Sequence, residues 1–369
     1  MKVVFDARYI RTDFHDGISR YSTELGKALA DRLPVTFLIY DEKQKAFLPD
    51  EADTILFHAP TSWREPFSSL LLNEYEPDIV ISPMQTFGSL GRKFKLILTV
   101  HDLIYYRHHT PPRNLPLLIR MGWHLYHMSY WPQRLALNSA DIVMTVSDTS
   151  RYDIQSVRLT DRPVFVAPNA PQQLAELLDT PPVHKTRPTE LIYMGSSMPY
   201  KNISTLLRGM ADLPGYTLHL LSRMPKRQRA ALEKIIPKNA SVIFHNGVSD
   251  KEYAELLAKD ALLVTASLDE GYGLPLAEAQ ALGTPAVVSD IPIFHEVAGD
   301  GALYFAPTDH QAFAACVKKA SDPTTHQQLS KKSIAHSKTF TWEKSAIALH
   351  TEIIQLADKK PVVRLADAD

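Results

Sequence analysis

The stretch Ser267-Leu-Asp-Glu-Gly-Tyr-Gly-Leu-Pro-Leu-Ala-Glu-Ala-Gln-Ala-Leu-Gly-Thr-Pro-Ala-Val-Val-Ser-Asp290 decides how the rest of the chain is read. Before it, Ala261-Leu-Leu-Val-Thr-Ala266 is a short apolar, partly β-branched run, the pattern of a buried strand. Ala286-Val-Val-Ser289 has the same character. Between the two, Leu274 to Leu282 reads as a helix, with Pro275 where a first turn tolerates it and Gly283 where a helix stops. Strand, glycine loop, helix and strand make a βαβ unit.

The glycine loop carries the chemistry. Gly271 and Gly273 let the backbone approach a ligand, and the helix start offers unpaired N–H groups and a positive dipole end. Such a corner suits a phosphate. Glu270 at the loop entrance and Glu278 in the first turn or so of the helix flank it, and carboxylates grip sugar hydroxyls well. On residue chemistry alone, a helix-start acid and a surface acid explain the pair equally well.

Glu270 and Glu278, seven residues apart inside Glu-Gly-Tyr-Gly-Leu-Pro-Leu-Ala-Glu-Ala, resemble the E-x7-E signature of family 4 glycosyltransferases. That family's pattern reads EGFGLPxxEAxAxGxPV, and the match is almost letter for letter. Tyr272 in place of Phe and Ala266 in place of a common Pro are mild departures. The resemblance implies an α/β protein of GT-B fold, two Rossmann-like parallel-sheet domains facing a central cleft. It also implies a C-terminal helix that crosses back to the first domain.

Size and composition agree with that. A chain of 369 residues, 45% hydrophobic and 22% charged, holds two full cores and is neither disordered nor membrane-spanning in composition. A formal net charge of −1 gives no argument for nucleic acid as a partner. The one cysteine, Cys316, excludes an intramolecular disulfide and a Cys-based zinc site. The opening Met1-Lys-Val-Val-Phe-Asp-Ala-Arg8 reads as a strand rather than a signal peptide, and no run approaches the roughly 18 to 20 apolar residues of a membrane span. A cytoplasmic protein is expected, with a peripheral position at the inner face of the plasma membrane left open.

In chain order, the expected organisation is a first, acceptor-side domain over 1–170 and a Pro-rich polar linker over 171–188. A nucleotide-sugar domain over 189–340, a returning helix over 341–358 and a loose tail over 359–369 complete it. Strands are expected at Lys2–Phe5, Val35–Tyr40, Ile79–Ser82, Leu96–Val100, Asp141–Ser147 and Val164–Ala167, with a helix from about Ser19 to Leu33. Gly17, in isolation a turn glycine, resembles the family's Gly-Ile-x-Arg-Tyr element, whose glycine faces the donor diphosphate. His101, at the carboxyl end of a strand in Thr-Val-His-Asp-Leu103, resembles the family histidine that contacts the donor sugar; alone, a His-Asp pair is usually structural.

The second domain restarts at Leu191-Ile-Tyr-Met194, followed by Gly195-Ser-Ser-Met-Pro-Tyr-Lys-Asn202. The resemblance places Lys201 on the donor phosphates. Many members carry an arginine just after that glycine; Ser196 and Ser197 stand there here, and Arg223 is the candidate second cation. The turn Asn246-Gly247-Val248 resembles the place where the family holds the nucleotide base. Gly271, Tyr272, Gly273, Leu274 and Glu278 complete the expected donor site, with Glu270, His101 and Lys201 as the catalytic group.

Leu103 to Ala140 contains no Asp or Glu, but holds Arg107, Arg113, Arg120, Arg134, four histidines and six Tyr or Trp residues. Basic and aromatic residues together suit either an anionic membrane surface or a nucleic acid, while aromatics packed on a core are the plainer reading. His124 and His127 read as helix surface rather than as metal ligands. What the resemblance implies is transfer of a hexose, with mannose the first guess, from a GDP-sugar or UDP-sugar to a glycan or lipid-linked glycan acceptor. Configuration would be retained, and neither a metal nor a cofactor would be required. A GT-B nucleotide-sugar epimerase or phosphorylase, or an inactive sugar-nucleotide binding protein, is the alternative.

Overall fold

The computed structural model describes residues 1–13, 16–111, 117–182, 187–259 and 261–358. The expected loose tail, 359–369, lies outside the described residues, as does Arg113. The chain forms two compact units. One comprises Met1–His101, Ser129–Pro168 and the chain from Trp342; the other comprises Asp102–Met128 and Asn169–Thr341.

In chain order, β1 (Val3–Asp6), α1 (Gly17–Ala30), β2 (Val35–Ile39), β3 (Thr54–Leu56), α2 (Ser68–Leu72), β4 (Ile79–Ser82) and β5 (Lys95–Val100) open the first unit. The excursion α3 (Ile104–Arg107) and α4 (Leu117–His127) belongs to the second unit. The first unit resumes with α5 (Trp131–Asn138), β6 (Ile142–Thr145), α6 (Asp148–Ser156) and β7 (Val164–Val166). The second unit continues with β8 (Glu190–Tyr193), α7 (Ile203–Gly209), β9 (Thr217–Leu220), α8 (Lys226–Glu233), β10 (Ser241–Phe244), α9 (Asp250–Ala258) and β11 (Ala261–Thr265). It ends with α10 (Leu274–Ala281), β12 (Ala286–Ser289), α11 (Pro292–Ala298), β13 (Ala302–Phe305), α12 (His310–Ala320) and α13 (Pro323–Ser337). The last helix, α14 (Trp342–Asp358), lies in the first unit and packs on α1.

Both sheets are parallel throughout. The first runs β3-β2-β1-β4-β5-β6-β7, and the second β10-β9-β8-β11-β12-β13. A parallel strand covered on both faces reads as continuous apolar sequence, which is why Ile79–Ser82 and Ala286–Ser289 were legible to the residue and are buried along their whole length. In each sheet the order reverses once, at β1/β4 and at β8/β11. Open α/β sheets bind ligands outside the carboxyl ends of the strands at that reversal.

Boundaries differ from expectation where caps decide them. The Asp16 side chain accepts from the Ser19 N–H at 2.9 Å, so α1 starts at Gly17, two residues early, and it stops at Ala30. β3 and α13 were not expected. β3 is three residues long with Leu56 exposed, too short to carry a period, whereas α13 begins at an Asp322 cap followed by Pro323. Within the expected linker, Leu174–Leu177 forms a single 3-10 turn that packs on α9.

At the reversal of the first sheet, a buried charge knot closes the end of β1. The Arg8 guanidinium donates to both Asp6 oxygens (2.8 and 3.0 Å), both Glu65 oxygens (2.7 and 3.0 Å) and the His58 carbonyl (3.2 Å). All five of its N–H donors are thus used. The Phe57 and Phe87 rings lie 5.5 and 5.3 Å from its centre. Removing the cation strands two carboxylates in a closed site. Arg8→Met is therefore expected to destabilise the protein by about 3–5 kcal/mol. A thermal melt of the full chain checks this; an unchanged melting temperature contradicts it.

Candidate functional site

The second sheet's reversal brings together the loops that follow β8 and β11. The first loop, Met194 to Asn202, is held in place by Asn202. Its backbone takes the left-handed conformation (φ 51°), and its Nδ2 donates to the carbonyls of Ala266 (3.1 Å) and Pro307 (2.7 Å). Its Oδ1 accepts from the Ser204 and Thr205 hydroxyls at 3.2 and 3.0 Å. One side chain thereby ties the end of this loop to the end of β11. Asn202 was quoted only as part of the Lys-Asn motif; its left-handed backbone is the signal of its structural part.

Lys201, held next to that anchor, reaches Glu270. Its ammonium lies 2.5 Å from Oε1, and the Ser267 hydroxyl donates to the same oxygen at 2.7 Å. Neither side chain is on the surface: 16% of Lys201 and 12% of Glu270 is exposed. Among the described residues, Oε2 of Glu270 has no hydrogen-bond partner, which leaves an acceptor for a ligand hydroxyl. The Lys201 ammonium also lies 5.4 Å from the Tyr200 ring centre.

The two loop glycines have different reasons to be glycine. Gly273 has φ +95° and stands at the N-cap of α10 with no side-chain cap, so the first N–H groups of that helix have no capping side chain. Gly271 has no such φ, but a Cβ there would lie 2.7 Å from Asp102 Oδ2. Its close approach is thus to a carboxyl group of the chain itself. Burial pushes the Asp102 carboxyl up to about 6, and the nearby charges of Asp269 and Glu270 add to the shift.

Glu278 lies in the second turn of α10, not the first, and is buried with 2% exposure, because α10 is covered on nearly every side. The surface-acid reading of the pair therefore fails for both carboxylates. Tyr272 is buried, and its hydroxyl finds no partner among the described residues. Leu274 opens the helix, with Pro275 at its start.

Arg223 is placed against the expected base turn. A Cβ on Gly247 (φ +107°) would meet Arg223 Cγ at 2.9 Å and Nε at 3.0 Å, and Asn246 is also left-handed at φ 59°. Backbone bonds His245 N to Leu220 O (3.0 Å) and Gly247 N to Leu221 O (2.8 Å) continue the β9–β10 ladder into this turn, which leads to Val248. Among the described residues Arg223 has no ion-pair partner. Ser222 Oγ accepts from Gly195 N at 3.1 Å, joining the two loops, while Ser197 bonds Gln228 of α8.

His101 and Gly17 lie in the first unit. Gly17 is the first residue of α1. Tyr21 of α1 meets the His101 ring edge-on at 5.0 Å, and Trp342 meets Tyr21 at 5.9 Å. Burial lowers the His101 pKa, so the ring is neutral at pH 7. Its Nε2 donates to the Pro83 carbonyl at 2.8 Å, leaving Nδ1 as an acceptor.

The acid-free segment packs with its polarity inverted. Trp123 and His127 turn inward on Tyr105 and Tyr106, with ring centres 5.0 to 5.7 Å apart, and Trp123 and Tyr126 pack on His127 at 4.1 and 5.0 Å. His127 is thus half-buried rather than helix surface, and its Nδ1 donates to the Trp123 carbonyl at 2.8 Å. His124 is exposed as expected. Among the described residues, no group of three or more His, Cys, Asp or Glu is placed to hold a metal ion. No described helix is long and apolar enough to cross a membrane.

Comparison with known proteins agrees with the fold. Residues 15–170 match the family described as Glycosyltransferase Family 4, and residues 175–336 match Glycosyl transferases group 1. The chain is 27% identical to O-antigen chain mannosyltransferase B of Escherichia coli, over 93% of this chain and 97% of that protein. It is 33% identical to the O-antigen chain mannosyltransferase RfbU of Salmonella typhimurium over 36% of this chain, a match that spans only 39% of that protein. In three dimensions it superposes on sucrose-phosphate synthase from Thermosynechococcus elongatus with a TM-score of 0.72 at 18% identity, covering 96% and 98% of the two chains. Two parallel-sheet units, the E-x7-E loop at a strand-order reversal and these matches lead to one conclusion: the chain belongs to the family 4 glycosyltransferases, has the GT-B fold and is similar to mannosyltransferases.

Proposed function

We propose that this glycosyltransferase moves a hexose, mannose first, from a nucleoside diphosphate sugar to a glycan or lipid-linked glycan acceptor, with retention of configuration. The observation that carries the reading is the Lys201–Glu270 pair at 2.5 Å beside an uncapped helix start. The main task in such a transfer is to stabilise charge growing on the leaving diphosphate. Lys201 and the first N–H groups of α10 do this electrostatically, with Arg223 as the second cation near the base turn. Oε2 of Glu270 is an acceptor for a donor sugar hydroxyl. Glu278 is assigned to the ribose.

With Glu270 occupied by Lys201, retention is best served by departure and attack on the same face. The acceptor oxygen bonds to the anomeric carbon as the diphosphate oxygen leaves, and that oxygen takes the acceptor's proton. The names of the relatives, O-antigen chain mannosyltransferases, favour GDP-mannose and an O-antigen type acceptor, and they favour transfer over epimerisation or phosphorolysis.

Purified protein, GDP-mannose and a lipid-linked oligosaccharide test this. GDP release should require the acceptor, survive EDTA, and give an α-linked product by proton NMR. Epimerised donor, or binding without turnover in excess acceptor, contradicts the reading.

The acceptor's lipid is the reason to assign a membrane contact to α4. Apolar side chains are exposed along it and just after it: Ile119, Met121 and Leu125 of α4 and the following Met128 are 55%, 56%, 67% and 67% exposed. Trp131 and Leu135 of α5 are exposed as well, and no acid lies between Leu103 and Ala140. An apolar face in an acid-free, basic segment fits an anionic bilayer. Wild type should sediment with phosphatidylglycerol vesicles, and Ile119→Asp/Leu125→Asp should not, while turnover of a water-soluble acceptor stays unchanged. Equal sedimentation of the two proteins overturns the assignment.

A further inference from the structure

The donor loop carries more negative charge than its expected task explains. Asp269 and Glu270 are consecutive, and the Asp102 carboxyl lies against the next residue, Gly271. Glu270 has Lys201. A nucleoside diphosphate sugar arriving here would meet a second full carboxylate one residue from the first. Like charges that close raise each other's free energy, and they repel an anionic donor.

Arg107, the last residue of α3, answers that charge. Its Nε donates to Asp269 Oδ2 at 2.6 Å and its NH2 to Oδ1 at 2.8 Å, a two-pronged bond that only a guanidinium makes. His108 follows, with Nε2 3.5 Å from Asp269 Oδ2 and its ring 5.6 Å from that of Tyr200, the neighbour of Lys201. Asp102 at the other end of this short segment accepts from the Ile104 N–H at 2.9 Å. The segment Asp102–His108 therefore touches both donor loops of the second unit.

We infer that Arg107 is a positioning residue for the transfer reaction: it neutralises Asp269, so that Lys201 answers Glu270 and the incoming diphosphate alone. This rests on the glycosyltransferase reading above and adds a residue that the donor-site motifs do not contain. Without Arg107, Asp269 competes with Glu270 for Lys201, and the loop presents two charges to one ammonium. The groups that face this carboxylate pair include Lys201, Ser267, Arg107, His108 and Asp102, with Tyr193 and Tyr200 beside Glu270.

The test is donor saturation kinetics on the full chain. Arg107→Gln removes the charge at a site that is 40% exposed, so folding should survive, and a thermal melt checks it. The KM for GDP-mannose should rise about tenfold, with a smaller change in kcat. If the role is charge neutralisation, adding Asp269→Asn to Arg107→Gln should return KM to within about threefold of wild type. A tether that merely holds the loop would leave the double variant as poor as the single one. That result, or a single variant with wild-type KM, overturns the inference. A wild type that does not use the donor at all removes the parent reading instead, and this inference with it.

Discussion

An ammonium held 2.5 Å from a carboxylate, Lys201 on Glu270, is the interaction around which the second unit is arranged. The two residues come from loops after β8 and β11, the neighbouring strands at which the sheet order reverses. Bringing such loops together requires the reversal itself, because only there do two consecutive crossovers leave in opposite directions. Asn202 then fixes the register of one loop on the other through the Ala266 and Pro307 carbonyls. The pair is thus set by topology first and by side-chain bonds second. In the proposed reaction, the ammonium would answer the donor diphosphate while Glu270 keeps a second oxygen for the sugar.

That arrangement brings an electrostatic difficulty. Under the proposed function, acidic groups assigned to sugar hydroxyls stand beside groups assigned to a diphosphate. The chain separates the two roles by pairing. Lys201 answers Glu270, Arg107 answers Asp269, and Asp102 is shifted up to about 6 by burial and by its two acidic neighbours. In the first unit the same logic appears in a closed form, where Arg8 satisfies Asp6 and Glu65 with all five donors. There the charges are structural.

Much of this was legible in the sequence for identifiable reasons. Parallel strands covered on both faces leave apolar runs, so Ile79–Ser82 and Ala286–Ser289 read correctly to the residue. The E-x7-E loop was marked by its resemblance to the family pattern, with Gly273 and Pro275 each tied to a local backbone demand. What was not legible depends on partners far away in the chain. Arg107 and Asp269 are 162 positions apart, and nothing in either's neighbourhood names the other. The burial of Glu278 follows from α10 being covered on nearly every side, and an isolated stretch of sequence does not report that. His127 was misread as surface because a helix with apolar residues outward and aromatic and imidazole rings inward inverts the usual rule.

The central claim is that Lys201, paired with Glu270, holds the donor diphosphate. Isothermal titration of GDP-mannose into wild type and Lys201→Met measures it directly. A hydrogen bond to a charged group contributes roughly 1.5–3 kcal/mol, so the variant should bind about ten- to a hundredfold more weakly. Equal dissociation constants for the two proteins would contradict the account.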